Sequence, residues 1–202
     1  MARESISPND SLISTEPIQT MDGIVDQIAA GLYNLASMLL GEGEESVRVV
    51  ETAIANSEVS ACQDPAQARA SSRRTLSEAA LETLSLRNPG SLAAPEGLKP
   101  SGNRIDEDDL EAVEIAREDL ERMSYGPDRG RVRNWLVSLP TALRTIFVLR
   151  AVAGLSAAET AAILEKHGGP KAAGWSAEAV RSVFREGLCS LASQLLHASA
   201  VR

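Results

Sequence analysis

The chain has 202 residues, 44% apolar but only 3% aromatic, with a formal net charge of −8. That length suits one domain or two small ones, and a core so poor in aromatics must be aliphatic and alanine-rich, which favours helices. No apolar run approaches the roughly 18 residues of a membrane span, "MARESISPND" lacks the apolar stretch of a secretory leader, and Cys62 and Cys189 stand in no metal or redox spacing; a cytoplasmic protein is expected.

Residues 1–20 are polar and aperiodic and read as a disordered tail. From Met21, the apolar residues Ile24, Ile28, Leu32, Leu35 and Leu39 recur at spacings of four and three, which makes one buried helical stripe. Gly41 and Gly43 end it. "EESVRVVETAIA" reads as a second helix, with acids at its start where the helix dipole favours them. A third, from about Pro65 to Leu86, turns Leu76, Ala79, Ala80 and Leu84 inward and Arg69, Arg73 and Arg74 elsewhere. Residues 21–88 are expected to form a first small helical domain.

The proline- and glycine-rich stretch "RNPGSLAAPEGLKPSGN" opens a flexible linker over 89–130. Within it, 105–123 has an apolar face and carries nine acids against two arginines, and reads as an acidic amphipathic helix able to mask a basic surface. Residues 131–197 then read as four helices: "RVRNWLVS"; "TALRTIFVLRAVA", with Pro140 suited to its first turn and Gly154 at its end; "AAETAAILEK", with Ser156 and Glu159 as a capping box; and a last helix from near Ser176 to about His197. No strand-like alternation occurs, so the fold class expected is all-α.

Charge divides unevenly. Residues 1–130 hold 11 Lys and Arg against 24 Asp and Glu, whereas residues 131–202 hold nine against four. A basic carboxy-terminal part on an acidic chain suggests nucleic-acid contact. Catalysis has little support. His167 and His197 pair with no carboxylate or cysteine in a nucleophile–base pattern, and no metal-ligand spacing or phosphate-binding loop is present. A non-enzymatic protein without cofactor or metal is expected.

A helix, a short break and an arginine-bearing helix have the logic of a helix-turn-helix, whose second helix enters the DNA major groove while the first braces it. In the last helix Arg181, Ser182 and Arg185 lie away from Val180, Phe184 and Leu188. Arginine reads guanine edges or neutralises phosphate, and serine donates to either. Lys171, Ser176, Arg144 and Arg150 add candidate contacts, those of the cations being with phosphate.

The stretch "LPTALRTIFVLRAVAGLSAAETAAIL" resembles the promoter-reading domain of bacterial sigma factors of the extracytoplasmic-function group. The pattern is carried by Leu139, Pro140, Arg144, Phe147, Leu149, Arg150, Gly154, Leu155, Ser156, Glu159, Ala161 and Leu164. "AVRSVFREGLCSL" is similar to that family's recognition helix, with Val180, Arg181 and Ser182 in its core. "LYNLASMLLGEGEESVRVVETAI" looks like the sigma domain that docks on the polymerase clamp, with Leu32, Tyr33, Ala36, Leu40, Gly41, Glu51 and Thr52 in step. The resemblance implies two small helical domains on a flexible linker, the second a winged-helix-like four-helix bundle with a helix-turn-helix. It implies core RNA polymerase and promoter DNA as partners, an anti-sigma factor as controller, and Glu44, Glu45, Arg48 and Glu51 as polymerase-docking residues.

The chain departs from that pattern at Val47 and Val50, where an Asp and a Gln are usual on an exposed docking surface. No Phe, Trp or Tyr occurs from Asn56 to Pro89, which leaves Arg69, Arg73 and Arg74 to contact the DNA backbone there. "EKHGGPKAAGW" makes the turn longer than the family's, either a wing that reaches phosphate through Lys171 or a loop that displaces the last helix. Glu186 stands where a basic residue is usual. Two alternatives follow: a sigma-like decoy that binds an anti-sigma factor without melting promoters, and a helical DNA-binding regulator unrelated to polymerase.

Overall fold

The computed structural model describes residues 21–57, 64–94 and 129–200. Among these every regular element is helical and no strand occurs, as an aliphatic, alanine-rich composition leads one to expect. The tail 1–20 and the acidic stretch 105–123 lie outside the described residues.

Helix α1 (Met21–Leu40) buries Leu32, Leu35 and Leu39, with Ile28 packed beside them, along the stripe read from the sequence. It stops at Gly41, whose φ of +97° is a conformation that side chains with a Cβ rarely adopt. The Ser46 hydroxyl then donates to the Gly41 carbonyl at 2.5 Å and starts α2 (Glu44–Asn56) back across α1. Helix α3 (Pro65–Arg87) begins with Pro65 in its first turn and the Asp64 carboxylate accepting from the Gln67 amide. Its inward residues are Leu76, Ala80, Leu81 and Leu84. The three helices pack on one another, and Arg87 ties their ends by donating to the Leu40 carbonyl at 3.1 Å and to Glu45 at 2.7 Å.

The carboxy-terminal helices are α4 (Arg129–Ser138), α5 (Thr141–Ala151), α6 (Ala157–His167) and α7 (Ala177–Ala200), with a short 3-10 turn at Pro170–Ala172. Pro140 stands just before the first turn of α5, its carbonyl accepting from the Arg144 amide at 2.9 Å. The few aromatic residues are concentrated here. Trp135 of α4 meets Phe147 of α5 edge-on, 4.9 Å between ring centres, and Phe147 meets Phe184 of α7 at 5.6 Å. The Trp135 indole donates to the Ser190 hydroxyl of α7 at 3.0 Å, so α4 is fastened to both neighbours.

The segments read as two domains share one hydrophobic cluster. Helix α1 packs against α5, and α3 against α6. Residues 89–94, the start of the expected linker, turn back rather than lead away: the Ser91 amide donates to Asn88, the Ala93 amide to Gly90, and Leu92 is buried. Among the described residues no helix is long and apolar enough to cross a membrane.

Candidate nucleic-acid interface

The unit that holds the sequence-derived contact residues runs from α5 to α7. Gly154, with φ of +78°, closes the end of α5, and the Leu155 amide turns back to the Leu149 carbonyl at 3.0 Å. Ser156 then caps α6 reciprocally. Its hydroxyl accepts from the Glu159 amide at 3.2 Å, and the Glu159 carboxylate accepts from the Ser156 amide at 2.9 Å. These bonds hold the Glu159 carboxyl below the usual carboxylate range, the backbone bond contributing most, the serine hydroxyl next, and partial burial opposing both.

The long turn after α6 is ordered by its own packing. Gly169, at φ of +84°, reverses the chain, Ala172 is buried, and the Trp175 ring is enclosed with its indole donating to the Leu92 carbonyl at 2.8 Å. The loop therefore lies on residues 88–94. Lys171 is exposed, yet its stem runs against Gly90, where an added Cβ would stand 3.1 Å from the lysine Cδ. Ser176 caps α7 by accepting from the Ala179 amide at 3.1 Å.

Helix α7 buries Val180, Phe184, Leu188 and Leu191 against α5 and α6. Its close approach to α5 depends on Gly187, because a Cβ there would meet the Phe147 ring at 3.0 Å. Arg181, Ser182 and Arg185 lie off that stripe and are half-buried, and Glu186 is exposed. The two arginines and the serine are thus brought together, with Ser176 one turn earlier.

Two cations behave differently from the sequence reading. Arg150 is not at the surface: it is 6% exposed, donates to the Leu155 carbonyl at 2.7 Å and lies over the Phe184 ring, 5.2 Å from its centre. The reason is geometric. The arginine stem is long enough to cross the α5–α6 turn, where a carbonyl left by the helix end needs a donor. Arg144 is half-buried, with its Nε enclosed and unpartnered, and burial, then the neighbouring Arg87, hold its pKa down.

On α2, Glu44, Arg48 and Glu51 are exposed, Glu44 and Arg48 pairing at 3.2 Å, while Glu45 is engaged by Arg87. Val50 is buried, so its apolar character is a core requirement and not a changed docking surface. Val47 and Ile54 are the large apolar residues exposed there, at 43% and 44%. The groups that sequence reasoning passed over are Trp175, Glu159 and His167 in their links to the amino-terminal helices; a lone tryptophan in a glycine-rich loop was the one available signal. No protein-family model, no curated protein and no solved structure matches the chain.

Proposed function

We propose that the chain is a cytoplasmic, non-enzymatic transcription initiation factor of the extracytoplasmic-function sigma type, which binds core RNA polymerase and promoter DNA. Its carboxy-terminal part acts as a helix-turn-helix unit of winged-helix-like form, and its amino-terminal helices dock on polymerase. The observation that carries the reading is the use made of the motif from Leu139 to Leu164. Phe147, Leu149, Arg150, Leu155 and Leu164 are all buried, and Phe147 and Arg150 pack on Phe184 of α7, the helix that carries Arg181, Ser182 and Arg185. A braced helix carrying two partly exposed arginines and a serine off its buried stripe suits a major groove, where arginine bonds guanine in bidentate fashion. Ser176 and Lys171 add neighbouring contacts, and Arg144 adds positive potential more than direct contact. The exposed Glu44, Arg48 and Glu51, with Glu45, offer a polar face to polymerase.

The test is reconstitution. The purified chain should form a stable complex with core RNA polymerase and support run-off transcription from a promoter selected from random sequence. Absence of any complex at low salt overturns the polymerase reading. A second reading is then favoured by exposed Val47 and Ile54 on α2: a sigma-like decoy that binds an anti-sigma factor through an apolar face without promoter melting.

A further inference from the structure

The turn that ends α3 gathers cations from three elements. Arg87, the last residue of that helix, donates through Nη1 to the Leu40 carbonyl at 3.1 Å and to Glu45 at 2.7 Å. Just beyond it the Ser91 amide donates to the Asn88 carbonyl and folds the chain sharply at Gly90. Gly90, at φ of +91°, has no side chain, and Lys171 lies against it: a Cβ there would stand 3.1 Å from the lysine Cδ and 3.4 Å from its Nζ. From α5, Arg144 comes near enough for the Arg87 charge to act on it.

Donors outnumber acceptors at this turn. Arg144 Nε and the Ser91 hydroxyl are enclosed and have no hydrogen-bond partner among the described residues. Glu45 is bonded to Arg87, whereas Arg144 and Lys171 pair with no carboxylate among the described residues. An enclosed N–H without an acceptor is costly, and a like charge beside it raises the cost. A phosphate oxyanion removes both penalties, because the planar guanidinium fork matches its oxygens. A compact anion also reaches an enclosed N–H more readily than a phosphate fixed in a duplex backbone.

We propose that the end of α3 is a binding site for a small oligophosphate, held by Arg87, Arg144 and Lys171, with the Ser91 hydroxyl of the same turn as a further donor. Two of the three cations lack a carboxylate, so a multiply charged anion is the better match. The DNA-binding reading also draws on Lys171 and Arg144, and a duplex titrated in parallel separates the two sources of phosphate.

The probe is inorganic tripolyphosphate, titrated calorimetrically into the full chain at low salt, where it should fill one site per chain. Arg144→Met keeps the stem and removes the fork. It should weaken binding about tenfold or more, while the thermal midpoint without ligand stays level or rises, because a half-buried unpartnered charge is gone. Lys171→Gln should also weaken binding, and Glu45→Gln, which frees Arg87, should tighten it. Arg48→Gln removes the same charge from an exposed position on α2 and should change nothing. No binding of tripolyphosphate overturns the site, and so does an equal loss from Arg48→Gln, which would show diffuse attraction only. A midpoint lowered by Arg144→Met with affinity kept makes Arg144 a structural residue and overturns its assignment. If Arg144→Met weakens only the duplex, the cations serve nucleic-acid phosphate: the oligophosphate site falls and the DNA reading stands. If it weakens only tripolyphosphate, the site is supported whatever becomes of the DNA reading.

Discussion

Arg150 separates a structural cation from a DNA-contacting one, and the difference is measurable. Arg150→Ala removes a charge-assisted hydrogen bond to the Leu155 carbonyl, the cation over the Phe184 ring, and a stem that fills space between α5 and α7. A hydrogen bond to a charged donor contributes about 1.5–3 kcal/mol, and a desolvated cation–π contact about 0.5–2 kcal/mol. Because the two share one side chain and are not additive, a loss of about 3 kcal/mol is expected. For a chain of this size each kcal/mol moves the midpoint by about 2–4 °C, so thermal unfolding followed by circular dichroism should fall by about 6–12 °C. Arg150→Lys should fall by an intermediate amount, since an ammonium keeps the charge but lacks the planar fork that serves carbonyl and ring at once. A midpoint within about 2 °C of the parent, together with weakened DNA binding, would place Arg150 at the surface and refute the buried-brace assignment.

Arg181→Ala and Arg185→Ala should each weaken duplex binding and lower the slope of log affinity against log salt by about 0.9 for each phosphate no longer neutralised. Arg48→Ala on α2 should leave both unchanged, and equal effects from all three would remove α7 from the interface. Gly187→Ala sets a helix-propensity gain of up to about 1 kcal/mol against a methyl 3.0 Å from the Phe147 ring. Trp135 and Phe184 hold that ring in place, so overpacking of about 1–3 kcal/mol prevails and the midpoint falls; a rise would show that the ring yields. Ser156→Ala should cost about 1 kcal/mol at neutral pH. Glu159 has a folded pKa below its unfolded one, so its contribution is full above the ordinary glutamate value of about 4.3 and is lost as pH falls through the folded value. Glu159→Gln should therefore flatten the acid limb of a stability–pH curve measured by urea denaturation, and an unchanged limb would refute the cap's electrostatic role.

Local signals were legible in the sequence because they act over a few residues. The α1 stripe, the glycine stops at Gly41 and Gly154 and the Ser156–Glu159 box each rest on contacts within about two helical turns. What was not legible depends on partners distant in sequence. Nothing in the spacing of "FVLR" says that Arg150 folds under the turn to Leu155, because an arginine at a helix end is ordinarily solvated. Val50 has the apolar character either of a core residue or of an altered docking face, and only the packing of α2 on α1 and α3 separates the two. The excess length after Leu164 reads as a wing or a fault from sequence alone. Its packing is decided by Leu92 and Ala94, far earlier in the chain.

The distribution of labour within the motif has a consequence for how such a protein can change its target. Half of the residues that make the Leu139–Leu164 stretch recognisable are buried, and the proposed contact residues Arg181, Ser182 and Arg185 lie beyond it. Substitution at Phe147, Arg150 or Gly187 alters the packing that holds α7. On the proposed reading, base preference changes through Arg181, Ser182 and Arg185 while the packing that positions their helix stays fixed.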